Sequence, residues 1–281
     1  MMLSPLSAFE FKRKNTFIHH LDPRTLLYFV ILTSILILQF QQLIPVVIIF
    51  VAIIPLLFVA RIIREWIVSL KGFIFLILII FFINVFFSPA NNPHPTTFAL
   101  SMIFRLLALV TTFALFFQTV HPDDLGQALV KLRMPYEFSW AITTAYRYVP
   151  TLAKEAQQII DAQMSRGIEF QKGNFLKRIR NYIPLIVPLF ISAIKRAWKL
   201  AEAMDSKAWG AAKKRTFLYE LQMSPMDYVI IIIITIVFIS VIYVRYILGL
   251  PAWAEWTLPP ELELKEIGKW ILGYIVNFLQ L

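Results

Sequence analysis

The first 120 residues alternate long apolar stretches with short polar breaks. Residues 26–60 are almost wholly apolar, apart from a Gln-Phe-Gln-Gln break at residues 39–42 that shortly precedes Pro45. As one helix this stretch would be about 52 Å long, which is too long for a single membrane span. The pattern therefore predicts two short helices that form a hairpin at the break. Three further spans are predicted at residues 72–87, 98–120 and 228–247.

A less apolar region, residues 121–215, separates the fourth and fifth predicted spans. Asp123 or Asp124 is expected to cap its first helix. Its other predicted elements are a helix over residues 137–166, an amphipathic stretch over residues 175–182 that suits a membrane surface, and a helix over residues 188–207.

The composition supports a membrane protein. Apolar residues make up 59% of the 281 residues and charged residues only 16%, whereas soluble domains have about 25% charged residues. The net charge of +10 would indicate nucleic acid in a soluble protein. In a membrane protein, Lys and Arg concentrate on the cytoplasmic side, close to anionic lipid headgroups. No binding of nucleic acid is therefore expected.

The distribution of Lys and Arg sets the expected orientation. With the N-terminus inside and five spans, 23 of the 27 Lys and Arg lie in the cytoplasm and three outside. A single crossing by residues 26–60 would reduce this bias to 19 against seven. The hairpin is therefore favoured. The predicted divisions are a cytoplasmic segment at 1–25, four spans at 26–120, a cytoplasmic region at 121–215, a fifth span at 226–247 and an external or interfacial tail at 248–281.

Two helices of the cytoplasmic region are predicted to end alike. The first ends in Ser165-Arg166-Gly167, and the second ends 41 residues later in Ser206-Lys207-Ala208. Each motif combines small residues with one cation. Helix capping explains either motif alone, since Gly adopts the left-handed conformation and a cation suits a helix C-terminus. Their recurrence favours a second reading, in which each cation enters a partner's groove and meets a carboxylate.

These motifs resemble those of the transmembrane coupling subunit of energy-coupling factor transporters, the T component or CbiQ/EcfT family. That family carries two Ala-Arg-Gly-type motifs at the ends of cytoplasmic coupling helices. Residues 20–25 (His-Leu-Asp-Pro-Arg-Thr) resemble the family's sequence before the first span, and residues 132–135 (Leu-Arg-Met-Pro) resemble its Leu-Pro turn. The resemblance covers about residues 17–247.

The resemblance implies an all-α integral membrane protein with about five transmembrane helices and a large cytoplasmic platform of long coupling helices before the last span. Two ATPase subunits would bind Ser165, Arg166 and Gly167 and Ser206, Lys207 and Ala208. A separate substrate-binding membrane subunit would capture a vitamin or a transition-metal ion. The expected location is the plasma membrane of a prokaryote. Lys207 and Ala208 depart from the family's Arg and Gly, and Lys lacks the planar fork of Arg.

The residues indicate no catalytic group, cofactor or metal site. The four His are dispersed, and the eight Gly form no phosphate-binding loop, so the chain is not expected to hydrolyse ATP. The alternatives are a membrane-embedded enzyme of lipid or isoprenoid metabolism and a self-sufficient secondary transporter. Arg105, inside the fourth predicted span, is either a functional charge or a side chain that extends to the headgroups.

Overall fold

The computed structural model describes residues 16–87, 94–170, 172, 174–211, 221–249 and 251–259. Within these residues every regular element is helical, which confirms the all-α prediction. Residues 1–15 of the predicted N-terminal segment and 260–281 of the predicted tail lie outside the described residues. The helices are α1 (Pro23–Gln39), α2 (Leu43–Ala60), α3 (Ile63–Phe86), α4 (Pro95–Thr119), α5 (Pro122–Lys131), α6 (Tyr136–Ser165), α7 (Phe175–Ser206) and α8 (Pro225–Tyr243).

Four of the described helices are long and apolar enough to cross a membrane: α2, α3, α4 and α8 with its continuation to Leu248. The remaining predicted span, the first along the chain, is α1, an apolar helix of 17 residues, or about 26 Å. The predicted break between α1 and α2 is confirmed at residues 40–42, and Pro45 lies in the first turn of α2. The chain is therefore a multi-pass membrane protein.

Helices α1 and α8 run in the same direction. At their N-termini the backbone N–H of Asp22 donates to Asp227 Oδ1 at 3.0 Å. Further along, Tyr28 and Thr235 share a hydrogen bond of 3.0 Å between their hydroxyls. Two parallel helices have an even number of crossings from the start of one to the start of the other, and α1, α2, α3 and α4 provide four crossings before α8 begins.

Helix α4 forms the centre of the membrane helices and packs against α1, α2 and α3. Many of its buried residues are small, and these let neighbouring helix backbones approach closely. The Trp66 indole N–H of α3 donates to the Thr111 hydroxyl of α4 at 3.0 Å. By contrast, Val85 is the one buried residue of α3. The rest of α3 leaves its apolar side chains available to lipid or another membrane protein.

Two predicted boundaries are wrong. The third span begins at Ile63 rather than at residue 72, because the left-handed Arg61 ends α2 and the chain re-enters a helix two residues later. Helix α5 begins at Pro122, a residue suited to the first helical position, so Asp123 and Asp124 lie within its first turn rather than before it. The ring Nδ1 of His121 accepts from the Asp123 backbone N–H at 3.2 Å.

The prediction of two separate helices within residues 175–207 is also wrong. Helix α7 is continuous over 32 residues, with Pro184 and Pro188 inside it. Pro188 has no N–H to donate to the carbonyl of Pro184, four residues earlier. The Gln163 side chain of α6 donates to that carbonyl instead, at 3.5 Å. Packing against α6 therefore supports the helix where its own hydrogen bonding is interrupted.

Arg105 is half-buried and contacts the turn between α1 and α2. Its guanidinium donates to the backbone carbonyl of Phe40, the residue that ends α1. Carbonyls at a helix end have no partner within the helix, and an unpaired one is costly inside a membrane. Arg105 therefore stabilises the α1–α2 turn, a role that neither sequence-based alternative anticipated.

Part of the tail packs against the same end of the membrane helices. Residues Ala252–Glu255 form a short 3-10 helix that contacts α2, and Ala254 is buried. The backbone N–H of Leu258 donates to the Thr97 hydroxyl near the start of α4 at 3.0 Å. The described tail thus lies at the end of the bundle where α1 and α8 finish.

Candidate functional site

Two compact units divide the described residues, with boundaries between Ala128 and Leu129 and between Leu221 and Gln222. The unit that carries both candidate motifs is built on α6 and α7, which pack against each other in opposite directions. Near the C-terminus of α6, Gln163 contacts Pro184 of α7. Near its N-terminus, Trp140 packs on Trp209, with ring centroids 4.8 Å apart. The two helices therefore form an antiparallel pair.

A polar cluster joins the middle of this pair. Glu155 of α6 accepts hydrogen bonds from the Ser192 hydroxyl and from the Arg196 guanidinium, the latter at 2.7 Å. These two donors lower the pKa of Glu155, with the serine hydrogen bond as the larger cause. The Arg196 guanidinium also lies 5.7 Å from the ring centroid of Tyr148. The cluster fixes the register of α6 against α7.

The end of α6 has the predicted left-handed cap. Gly167 has a φ of 85°, and its N–H donates to the carbonyl of Met164 at 2.9 Å. The N–H groups of Arg166 and Ile168 both donate to the carbonyl of Gln163, at 3.1 Å each. This arrangement is a Schellman motif, which pairs the carbonyls that a helix leaves free at its C-terminus.

The end of α7 repeats this geometry 41 residues later. Ala208 has a φ of 56°, and its N–H donates to the carbonyl of Asp205 at 3.0 Å. The N–H groups of Lys207 and Trp209 donate to the carbonyl of Met204, at 3.1 and 3.0 Å. Ala208 therefore adopts the backbone conformation of Gly167 despite its Cβ, and the two ends are equivalent bond for bond.

Both cations point away from their own helices. Arg166 and Lys207 are exposed, and within the described residues neither side chain makes a hydrogen bond or an ion pair. The serine before each cation is satisfied locally: its hydroxyl donates to a carbonyl of the same helix, at 3.0 Å for Ser165 and 2.9 Å for Ser206. The cations are therefore the groups at these ends that remain available to a partner.

The two ends are far apart. Because α6 and α7 are antiparallel, the C-terminus of α6 lies at one end of the pair and that of α7 at the other. Gln163, three residues before Arg166, lies level with Pro184, and Lys207 follows 23 residues further along α7. At 1.5 Å per residue the two cations are therefore about 35–40 Å apart. One small partner cannot reach both cations at once.

Trp209 is a residue of this site that the sequence did not reveal. Its ring packs on Trp140 and also on Tyr136, at 5.5 Å between ring centroids. All three aromatics belong to the same unit and hold the left-handed end of α7 against the start of α6. The available signal was Trp209 itself, a large aromatic directly after the second motif.

Replacing Ala208 with Gly should stabilise the protein by about 0.5–1 kcal/mol. An L-residue in the left-handed conformation costs about 1–2 kcal/mol, and the greater freedom of an unfolded Gly offsets part of that gain. Thermal unfolding of the detergent-solubilised chain would measure the change, expected as about 2–4 °C.

Gly167→Ala is the matched variant. It should lower the melting temperature by a similar amount, because a Cβ at Gly167 would meet no atom within 4 Å and only the backbone conformation is penalised. An unchanged melting temperature in both variants would show that the two ends are not held in the left-handed conformation.

Comparison with known proteins identifies relatives over most of the chain. The family model described as CbiQ, cobalt transport protein, matches residues 14–218. A protein from Ruminiclostridium cellulolyticum named energy-coupling factor transporter transmembrane protein EcfT is 30% identical over 88% of this chain and 99% of its own length. Proteins of the same name from Staphylococcus aureus and Thermosediminibacter oceani are 32% and 31% identical, over 83% and 76% of this chain and 94% and 88% of their own lengths.

The residues matched by the family model include both helix ends and the start of α1, and the matches agree with the resemblance seen in the sequence. The relatives are named as transporter transmembrane components. The chain therefore belongs to the CbiQ/EcfT family of energy-coupling factor transporter transmembrane proteins.

Proposed function

We propose that this chain is the energy-coupling subunit of an ATP-driven uptake transporter. It links two ATPase subunits to a separate membrane subunit that captures a vitamin or a transition-metal ion. The observation that carries this proposal is the pair of equivalent left-handed helix ends, each with an exposed cation and about 35–40 Å apart. Two matching ends call for two matching partners, which suits a pair of ATPase subunits.

Each helix end would fit into a groove of one ATPase subunit and place its cation against a carboxylate there. The left-handed residue, Gly167 or Ala208, turns the chain away directly after the cation, so the helix end can enter a narrow groove. Arg166 can form two parallel hydrogen bonds with a carboxylate, whereas Lys207 offers a single ammonium group. The α6 end is therefore the stronger contact.

The antiparallel pair also suits a mechanical role. Glu155 and Arg196 hold α6 and α7 in register, so a movement applied at one end reaches the other without the helices sliding. Closure of the ATPase pair would move both ends, and the pair would pass that movement to the substrate-binding subunit. The substrate is selected by that other subunit.

Coexpression with its cognate ATPase subunits tests this function. The chain should retain the ATPases through purification in detergent, and ATP hydrolysis should occur only in their presence. The alternative outcome, ATP hydrolysis by the rigorously purified chain at the rate of the complex, would overturn the proposal.

The orientation in the plasma membrane is a second expected result. The positive-inside bias places the α6–α7 unit in the cytoplasm, and parallel α1 and α8 support the same side for the N-terminus. The chain contains no Cys, so Lys172→Cys and Glu255→Cys give single sites at exposed positions. An impermeant thiol reagent added to whole cells should label only the cysteine at 255. Labelling at 172 instead would reverse the orientation.

A further inference from the structure

An apolar cleft of about 260 Å³ lies at the end of the membrane helices where α1 stops. Its walls come from the start of α2, the end of α8 and the tail segment 251–254, and they include Phe40, Ile48, Val241 and Trp253. The cleft is open, and its lining is almost entirely apolar. Because α2 and α8 are long and apolar enough to cross a membrane, we expect this cleft to face membrane lipid.

Two arginines meet at Phe40, one of the residues that line the cleft. Arg105 donates to the Phe40 carbonyl, and the Arg245 guanidinium lies 5.0 Å from the centroid of the Phe40 ring. Each arginine retains one buried donor without a partner, Nε of Arg105 and Nη1 of Arg245. Neither forms an ion pair with a carboxylate in the described part of the chain. Buried donors normally have an acceptor, so these two N–H groups remain able to donate to a bound group.

The backbone of α8 is irregular at the same place. After Tyr243 the helix continues as a π-helix over Val244–Leu248. In this segment Val244 lines the cleft while the next residue, Arg245, stacks on Phe40. Such π segments are rare and are frequently found at functional sites. Here the π-helix places the apolar side chain of Val244 and the guanidinium of Arg245 next to each other at the cleft.

We propose that this place binds an anionic phospholipid, with one acyl chain in the cleft and its phosphate accepting a hydrogen bond from Arg245. Arg105 adds a second positive charge at the carbonyl of Phe40. The occupant follows from the combination of features: the cleft takes a hydrocarbon chain, and the unpaired arginine donor takes an anion. A soluble anion would leave the cleft empty, and a lipid without net charge would leave the two arginines uncompensated. With the orientation proposed above, the lipid belongs to the outer leaflet.

Fluorescence quenching by brominated lipid tests the site in the full chain. Trp253 lines the cleft. Its fluorescence is obtained by subtracting the emission of the Trp253→Phe variant from that of the wild type. In phosphatidylcholine vesicles, phosphatidylglycerol with brominated chains should quench Trp253 at a mole fraction about fivefold lower than brominated phosphatidylcholine requires. Arg245→Gln should remove that preference, and Ser240→Phe, which fills the cleft, should reduce quenching by both lipids.

Arg64→Gln is the matched control, since it removes an exposed cation from the opposite end of the membrane helices and should leave the preference intact. Equal quenching by the two lipids in the wild type, or an unchanged preference in Arg245→Gln, would overturn the proposal. A competition experiment on the wild type needs no variant to fold. Phosphatidylglycerol without bromine should displace the brominated lipid and restore the Trp253 fluorescence, whereas inorganic phosphate should not. Restoration by phosphate alone would exclude a lipid site.

Discussion

Replacing Arg166 and Lys207 together with Glu is expected to abolish retention of the ATPase subunits. Each substitution would place a carboxylate at a helix end that now presents a cation, opposite the acidic groove that the proposed function assigns to the partner. The two ends are about 35–40 Å apart, so their effects should add. Pull-down of the coexpressed ATPases in detergent and substrate uptake by cells would measure the loss.

The single variants should rank the two ends. A charge-assisted hydrogen bond is worth about 1.5–3 kcal/mol, so Arg166→Ala should weaken ATPase binding about tenfold or more. Lys207→Ala should be milder, and Lys207→Arg should be tolerated or strengthen the contact, because Arg regains the planar fork. All these side chains are exposed, so membrane insertion and substrate capture by the separate subunit should be unaffected.

Lys195→Glu is the control for charge. Lys195 is an exposed cation in the middle of α7, away from both ends, and its reversal should leave ATPase retention nearly normal. If the Arg166→Glu, Lys207→Glu double variant still retained the ATPases and supported normal uptake, both motifs would be helix caps and nothing more.

Much of the membrane part could be predicted because hydrophobic length and charge are properties of short segments. Apolar runs of about 20 residues have one stable outcome in a bilayer, a helix. The break at residues 39–42 was recognisable because several polar side chains cannot stay in the middle of a span. Exact boundaries such as the start of α3 were missed, since a helix continues past the membrane wherever its neighbours support it.

Contacts between distant residues could not be predicted from one sequence. Pro184 and Pro188 looked like a helix boundary, because proline disrupts a helix locally and only the packing of Gln163 shows otherwise. Arg105 looked like a functional charge or a surface cation, because its acceptor is the carbonyl of Phe40, 65 residues away.

The candidate site was only partly predictable for the same reason. The repeated motif and Gly167 indicated one left-handed helix end. Ala208 gave no such signal, since alanine rarely adopts that conformation, and the structure is needed to show that it does. The opposite placement of the two ends depends on the antiparallel packing of α6 and α7, which no local pattern encodes.

Asp227→Ala is expected to have the largest effect on stability. Asp227 is 1% exposed and accepts three hydrogen bonds at the start of α8. Oδ1 accepts from the backbone N–H of Asp22 at 3.0 Å. Oδ2 accepts from the backbone N–H and the hydroxyl of Ser224, at 2.8 and 3.0 Å. One carboxylate thus caps its own helix and ties it to the start of α1.

Removal of this carboxylate has two costs. The capping interaction with Ser224 is lost, at about 1–2 kcal/mol. The N–H of Asp22, a buried residue, is left without an acceptor, at about 1–3 kcal/mol. The expected loss is therefore about 2–5 kcal/mol, or about 5–15 °C in the melting temperature of the solubilised chain.

Two further variants separate the role of Asp227 from a general effect of losing a carboxylate. Asp227→Asn keeps one carbonyl oxygen, which can serve either Asp22 or Ser224 but not both, so about half of the loss is expected. Asp161→Ala removes an exposed carboxylate that accepts only from Gln157, and it should cost less than about 0.5 kcal/mol. Amide exchange at Asp22 should accelerate in Asp227→Ala and not in Asp161→Ala. If both alanine variants melted at the wild-type temperature, the link between α1 and α8 would rest on their apolar packing alone.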